Sequence, residues 1–115
     1  AIKTLETRYT DKDIMIVETA FYYSHDNDKW AKSADEHSDL YPITEEGQAQ
    51  FTQELVDMLK KHPMVKGLYW WFPEENESGK KVIGSWINRG LFDNHTGKVL
   101  KAMKSFAAYR INNKH

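Results

Sequence analysis

The chain has 115 residues, 40% hydrophobic and 29% charged, with a formal net charge of -1. That balance belongs to one globular folding unit, not a disordered tail, and near-neutral charge argues against nucleic acid or an anionic membrane as an electrostatic partner. No apolar run approaches the ~20 residues that span a bilayer, and the absence of cysteine excludes disulfide and thiolate chemistry.

Ile2, Leu5 and Tyr9 follow helical spacing, which predicts a helix over residues 1–10 with Asp11-Lys12-Asp13 as the turn after it. A chain that opens inside a helix reads as a fragment of a longer polypeptide. Ile14-Met15-Ile16-Val17 is a continuous apolar run, the pattern of a strand buried on both faces of a parallel sheet, and residues 14–19 end in Glu18-Thr19. In parallel α/β folds the carboxyl ends of the strands carry ligands and chemistry. Glu18 is therefore either a catalytic group or a structural anchor. A long polar stretch, Ser24 to Tyr41, leads to Pro42. Thr44 is a predicted N-cap with Glu45 and Glu46 in the first turn, and Phe51, Leu55, Met58 and Leu59 mark an apolar stripe on a helix over about residues 45–61. Val65 to Phe72 reads as a second buried strand, followed by a loop from Glu74 to about Gly97. Val99, Leu100, Met103, Phe106 and Ala107 predict a last helix before the polar tail.

Alternating strands and helices imply a parallel sheet with crossover connections, and both long loops follow strands. Loops of this length are uncommon unless functional. In a (βα)8 barrel such loops build the active site, but a barrel takes ~250 residues. The expected fold class is thus α/β, a partial (βα)8 TIM barrel of about two βα units with a preceding helix, read as one unit over residues 1–115.

Three segments carry a resemblance. Ile16-Val17-Glu18-Thr19-Ala20-Phe21-Tyr22-Tyr23, Tyr41-Pro42-Ile43-Thr44-Glu45-Glu46-Gly47-Gln48, and Gly67-Leu68-Tyr69-Trp70-Trp71-Phe72-Pro73 together with Gly84-Ser85-Trp86-Ile87-Asn88-Arg89-Gly90-Leu91-Phe92-Asp93 occur in that order. They resemble the carboxyl-terminal part of glycoside hydrolase family 53, the endo-β-1,4-galactanases that cut arabinogalactan. The resemblance implies that the strands are the seventh and eighth of the barrel and that Glu18 is the nucleophile of a retaining mechanism. Such a mechanism needs a second carboxyl about 5 Å away as acid/base, which the family places on its fourth strand, absent from this segment. By the same resemblance the parent enzyme acts extracellularly, in the periplasm or at the cell surface, while the isolated chain is expected to be inactive. The chain departs from the common family pattern at Phe72, where many members have Glu, at Ile87 and Arg89, which replace Glu and Gln, and at Ala20, which replaces Gly. These departures suggest a divergent bacterial branch and leave subsite contacts open.

For substrate binding the candidates are Tyr22 and Tyr23 beside the nucleophile, Trp71 and Trp86 as sugar-stacking faces, and Asn88. An aromatic face matches the apolar face of a pyranose, although Trp71 and Trp86 also suit a barrel core. Trp70, alternating with Trp71, points into the helix layer. Glu74 and Glu75 are the local carboxylates past the second strand, where loop solvation is the weightier reading. Asp26 and Asp28 offer calcium-like oxygen spacing without the Gly turn or bidentate Glu of a calcium loop, so no cofactor is assigned and calcium stays a secondary reading. His37, His62 and His95 show no metal spacing. The expected partner is galactan, and bare strand edges predict self-association of the fragment. Two other readings stand beside the enzyme: a non-catalytic sugar-binding module, and a small α/β domain that oligomerises through its sheet.

Overall fold

A computed structural model describes residues 1–25, 39–74 and 87–111. Its elements run α1 (Ile2–Arg8), β1 (Ile14–Thr19), α2 (Glu45–Lys60), β2 (Val65–Trp70) and α3 (Met103–Ile111). The two strands pair in parallel, with Ile14 opposite Val65, Met15 opposite Gly67, Ile16 opposite Leu68 and Thr19 opposite Trp70. Parallel neighbours cannot be joined by a tight turn; the chain therefore travels from the carboxyl end of β1 through α2 back to the start of β2. The expected alternation is present.

The cap of α2 forms as its sequence predicts. Thr44 is extended and its Oγ1 accepts the Gly47 N–H at 3.0 Å, with Glu45 and Glu46 in the positive first turn. The buried stripe differs from the apolar one expected. It consists of Gln48, Thr52, Val56 and Leu59, while Met58 faces solvent and Phe51 and Leu55 are half-buried. Gln48 occupies an innermost position because the loop backbone packed against it offers carbonyls, and Thr52 is satisfied within its own helix. Thr52 returns its hydroxyl proton to the Gln48 carbonyl at 2.7 Å.

β2 ends at Trp70, two residues before the expected Phe72, and the Trp71–Phe72 peptide is cis. The long second loop also ends in structure. Phe92 and Val99 form an antiparallel bridge, and Asp93 N–H donates to the Lys98 carbonyl at 2.8 Å. The turn between them is held by Asp93 Oδ1, which accepts from the His95 and Thr96 amides at 3.0 and 2.7 Å, and by Gly97 at φ 69, a left-handed position that favours glycine. These bonds to the carboxylate, led by that from Thr96, hold the Asp93 pKa below its usual value. Val99 belongs to this bridge, so the last helix starts at Met103 and not at Val99.

The main core gathers Trp70, Leu91 and Ala102 with Phe21, Ala49, Phe51, Phe92, Met103 and Phe106 around them. Phe21 stacks on Phe51, centroids 4.6 Å apart, and Trp70 meets Phe106 edge-on at 5.9 Å. Trp70 thus sits in the helix layer, as strand alternation requires. On the other sheet face the described side chains are open to solvent: Met15, Val17, Tyr69 and Trp71 are all exposed. At the opposite end of the sheet, Glu6 of α1 meets His62 Nδ1 at 2.8 Å.

Two glycines separate tolerance from intolerance. A Cβ on Gly47 would lie 1.7 Å from the Pro42 carbonyl oxygen, a backbone atom fixed by the cap. The ~1 kcal/mol that helix propensity grants alanine cannot offset this, and Gly47→Ala is expected to destabilise by about 3 kcal/mol. On Gly67 the Cβ would meet only the flexible, exposed end of Met15, at 2.3 Å. Gly67→Ala should stay within about 1 kcal/mol of wild type, since Met15 can swing away and Gly is itself costly inside a strand. Urea unfolding of both variants checks the contrast.

Candidate functional site

Glu18 lies where β1 loses its regular register. Three residue steps on β1, from Ile16 to Thr19, face two on β2, from Leu68 to Trp70. The extra residue makes a bulge, and neighbours that would alternate across a regular strand, Val17 and Glu18, both come out exposed. Bulges beside active sites re-aim side chains in this way. The strand ends are locked together just beyond: Trp71 N–H donates to the Thr19 carbonyl at 2.8 Å. Glu18 and Trp71 therefore share the carboxyl rim of the sheet. Trp71, 40% exposed, tilts against Phe72 with centroids 4.7 Å apart.

Beneath this rim the loops after the two strands are tied by hydrogen bonds to backbone. Tyr23 N–H donates to the Asn88 carbonyl at 2.8 Å, Trp70 Nε1–H to the Arg89 carbonyl at 2.6 Å, and Leu91 N–H to the Pro73 carbonyl at 2.7 Å. Gln48 reaches up from α2 with both amide protons, to the Phe21 carbonyl at 3.0 Å and the Gly90 carbonyl at 2.8 Å. The segment after β1 and the segment after β2 form one braced platform.

Tyr22, Tyr23 and Asn88 lie inside that platform. Tyr22 is buried against Ile43; its ring carries the Arg89 guanidinium 3.9 Å from the centroid, and Arg89 Nη2 donates to its hydroxyl. Burial lowers the Arg89 pKa to about 10. Tyr23, also buried, accepts the Asn94 N–H at its hydroxyl at 2.8 Å. Asn88 is 2% exposed, has φ 65, and accepts Asn94 Nδ2–H at its side-chain oxygen at 3.0 Å. These three polar side chains form a buried floor within the loops, and Glu18 and Trp71 are exposed at the strand ends. Glu74, just past β2, is exposed. Trp86, Glu75, His37, Asp26 and Asp28 lie outside the described residues, and among those described no three His, Asp or Glu side chains gather as a metal site. No described helix is long and apolar enough to cross a membrane.

Sequence reasoning missed Gln48, Arg89 and Asn94 as parts of this site. Gln48 and Arg89 stood inside the quoted motifs, but polar residues without acid/base chemistry gave no signal of burial. Hollows among the described residues lie elsewhere, one lined by Leu59, His62, Val65 and Tyr109 and another by Val99, Leu100 and Met103. The rim is open, as one side of a cleft would be.

A carboxylate and an exposed indole on the carboxyl rim of parallel strands, with helices on one sheet face and exposed side chains on the other among the described residues, define a section of a βα-barrel scaffold. Comparison with known families narrows this class. The glycosyl hydrolase family 53 profile matches residues 1–106, and the chain belongs to that family. Among solved structures, the GH53 catalytic domain of Ignisphaera aggregans is similar, with a TM-score of 0.64 at 26% identity over 91% of this chain and 32% of that one. The chain thus spans about a third of that domain's length, and its two parallel strands and helices are part of a TIM barrel. No curated protein matched it in a direct sequence comparison.

The floor makes a testable claim at Asn88. Its left-handed backbone suits Asn or Gly and disfavours a β-branched residue. Asn88→Gly keeps the backbone and loses the bond from Asn94. Asn88→Val should cost about 1–2 kcal/mol more than Asn88→Gly, with Asn88→Ala between them. Unfolding midpoints in urea should fall in the order wild type, Gly, Ala, Val.

Proposed function

We propose that this chain is the nucleophile-bearing section of a retaining endo-β-1,4-galactanase acting on the galactan side chains of plant pectin. The observation that carries the reading is the exposure of Glu18 at the bulged end of β1, in a chain of glycosyl hydrolase family 53. In this mechanism the Glu18 carboxylate attacks the anomeric carbon as the glycosidic bond breaks. A general acid protonates the leaving oxygen, and water then releases the sugar from the glutamyl ester. Glu18 suits the first role because solvent and substrate reach it, while the braced loops beneath limit its movement. The acid/base partner, about 5 Å from it in a retaining site, is assigned to an earlier strand of the complete barrel. On this reading the isolated chain does not turn over galactan. Trp71 supplies a stacking face for a galactose ring. The enzyme works outside the cytoplasm, where its polymer is found.

A second reading, a sugar-binding module without catalysis, is favoured by the exposed aromatic row of Tyr69, Trp71 and Phe72. Reducing-sugar release from β-1,4-galactan by the complete barrel protein separates the two. Glu18→Gln should lower turnover by at least ~10³-fold with little change in thermal stability, because a neutral amide cannot form the glycosyl ester. Trp71→Ala should weaken KM about tenfold, the worth of one aromatic contact, while kcat changes less. A Glu18→Gln protein of near-normal activity would make Glu18 a structural acid. Retained galactan affinity with no cleavage by wild type would favour the binding module.

The bare face has its own consequence. Met15 is 43%, Val17 69% and Tyr69 57% exposed on a sheet that has two strands among the described residues. Expressed alone at micromolar concentration, the chain should associate with itself through this surface. Sedimentation velocity checks it: oligomers are expected, and a monodisperse monomer counts against the idea.

A further inference from the structure

Gln48 is a side chain of α2 that hydrogen-bonds to both loops of the rim. It is 0% exposed, and its Nε2 donates to the Phe21 carbonyl at 3.0 Å and the Gly90 carbonyl at 2.8 Å. Phe21 follows Glu18 by three residues along the loop that leaves β1, and Gly90 follows Arg89, whose carbonyl holds the Trp70 indole. The amide orientation is dictated by its partners, since a reversed amide would aim oxygen at two carbonyl oxygens. In this orientation Oε1 is buried and has no hydrogen-bond partner among the described residues. An orphaned buried acceptor is costly. A side chain placed at that cost is used for its two donors.

The backbone around Gln48 is equally fixed. Its N–H donates to the Thr44 carbonyl at 2.9 Å, its carbonyl accepts from Thr52, and the preceding Gly47 sits tight against Pro42. The donor pair is therefore delivered from a rigid helix start to two loops that have no regular secondary structure at those points. Asparagine would be one methylene too short to reach both carbonyls, and lysine would bury a charge.

We infer that Gln48 is a positioning residue for the reaction, a cross-tie that sets the loop after β1, and with it Glu18, against the loop after β2. This rests on the catalytic reading of Glu18. Its contribution appears in the chemical step and not in substrate binding, because Gln48 is sealed beneath the floor. Small displacements of a reacting group can cost roughly 10²-fold in rate.

The test uses Gln48→Met and Gln48→Glu in the complete barrel protein, with Gln50→Met as a control on the exposed face of α2, where Gln50 bonds only to Glu54. Met keeps the volume and removes both donors, so kcat should fall roughly 10²-fold with KM nearly unchanged, and Gln50→Met should match wild type. A glutamic acid facing two carbonyls in a dry site titrates high and, when protonated, restores one donor. The activity of Gln48→Glu relative to wild type should therefore rise as pH falls, while the Gln48→Met ratio stays flat. If Gln48→Met fails to fold, the pH-dependent ratio of Gln48→Glu decides. Near-normal kcat in Gln48→Met, or a flat ratio in Gln48→Glu, overturns the tie in favour of simple packing. Amide exchange at Tyr23, whose N–H spans the two loops, is the readout that does not depend on catalysis. If wild type cuts no galactan, the enzymatic reading fails by itself, and the tie stands on faster Tyr23 exchange in Gln48→Met or falls on unchanged exchange.

Discussion

Parallel pairing of β1 with β2 is the constraint from which the rest of this structure follows. Two parallel neighbours need a crossover, and the crossover must carry a helix to cover the sheet. That places α2 against one face and sends both strand exits to the same end. Glu18 and Trp71 become neighbours there, 53 positions apart in the chain, because Thr19 and Trp71 close the ladder between them. The same constraint leaves the second face without a cover. Apolar side chains at Met15, Val17 and Tyr69 are the expected contents of a barrel interior, and they are exposed because the chain holds about a third of the similar catalytic domain's length.

Loops that exit a sheet bring backbone N–H and C=O groups into the interior, and each needs a partner. The site floor is polar for this reason. Gln48, the Trp70 indole and the Tyr23 amide satisfy the Phe21, Gly90, Arg89 and Asn88 carbonyls. Arg89 shows how a charged group is accommodated in such a place. Its guanidinium lies over the Tyr22 ring and donates to that hydroxyl, contacts that recover part of the hydration lost on burial, while the lowered pKa registers the part not recovered. A buried cation in this position ties down the loop that bears Tyr22, four residues beyond Glu18.

The elements were legible where residue type and burial coincide. Apolar runs located both strands, Thr44 located the start of α2, and alternation put Trp70 inward and Trp71 outward. The stripe of α2 was misread because its innermost positions are Gln48 and Thr52, which hydropathy assigns to solvent. The bridge from Phe92 to Val99 was read as loop and helix because a single pairing leaves no period to detect. At the candidate site, the place of Glu18 at the end of an apolar run marked it as either a catalytic group or a structural anchor. Tyr22, Tyr23 and Asn88 were picked for their chemistry, yet only the fold reveals that their polar atoms are turned toward other parts of the chain. A sequence marks residues able to bind sugar; it does not tell which of them the backbone has already engaged.

The bulge at Glu18 joins these points. In a regular strand one of Val17 and Glu18 would face the helix layer, where a carboxylate would meet Trp70 and Phe106 and an apolar side chain would fit. One added residue step lets both turn outward, so the carboxylate keeps its solvent and Val17 becomes part of the face that a full barrel would enclose. The local cost is a weakened ladder between Ile16 and Thr19, and the bond from Trp71 N–H to the Thr19 carbonyl restores pairing immediately beyond it. This shift re-aims the two side chains at the carboxyl end of β1, and a second register shift lies at its other end, between Ile14 and Met15. The Glu18 carboxylate thereby keeps freedom for its side chain while the strand that bears it is restrained immediately beyond, at Thr19.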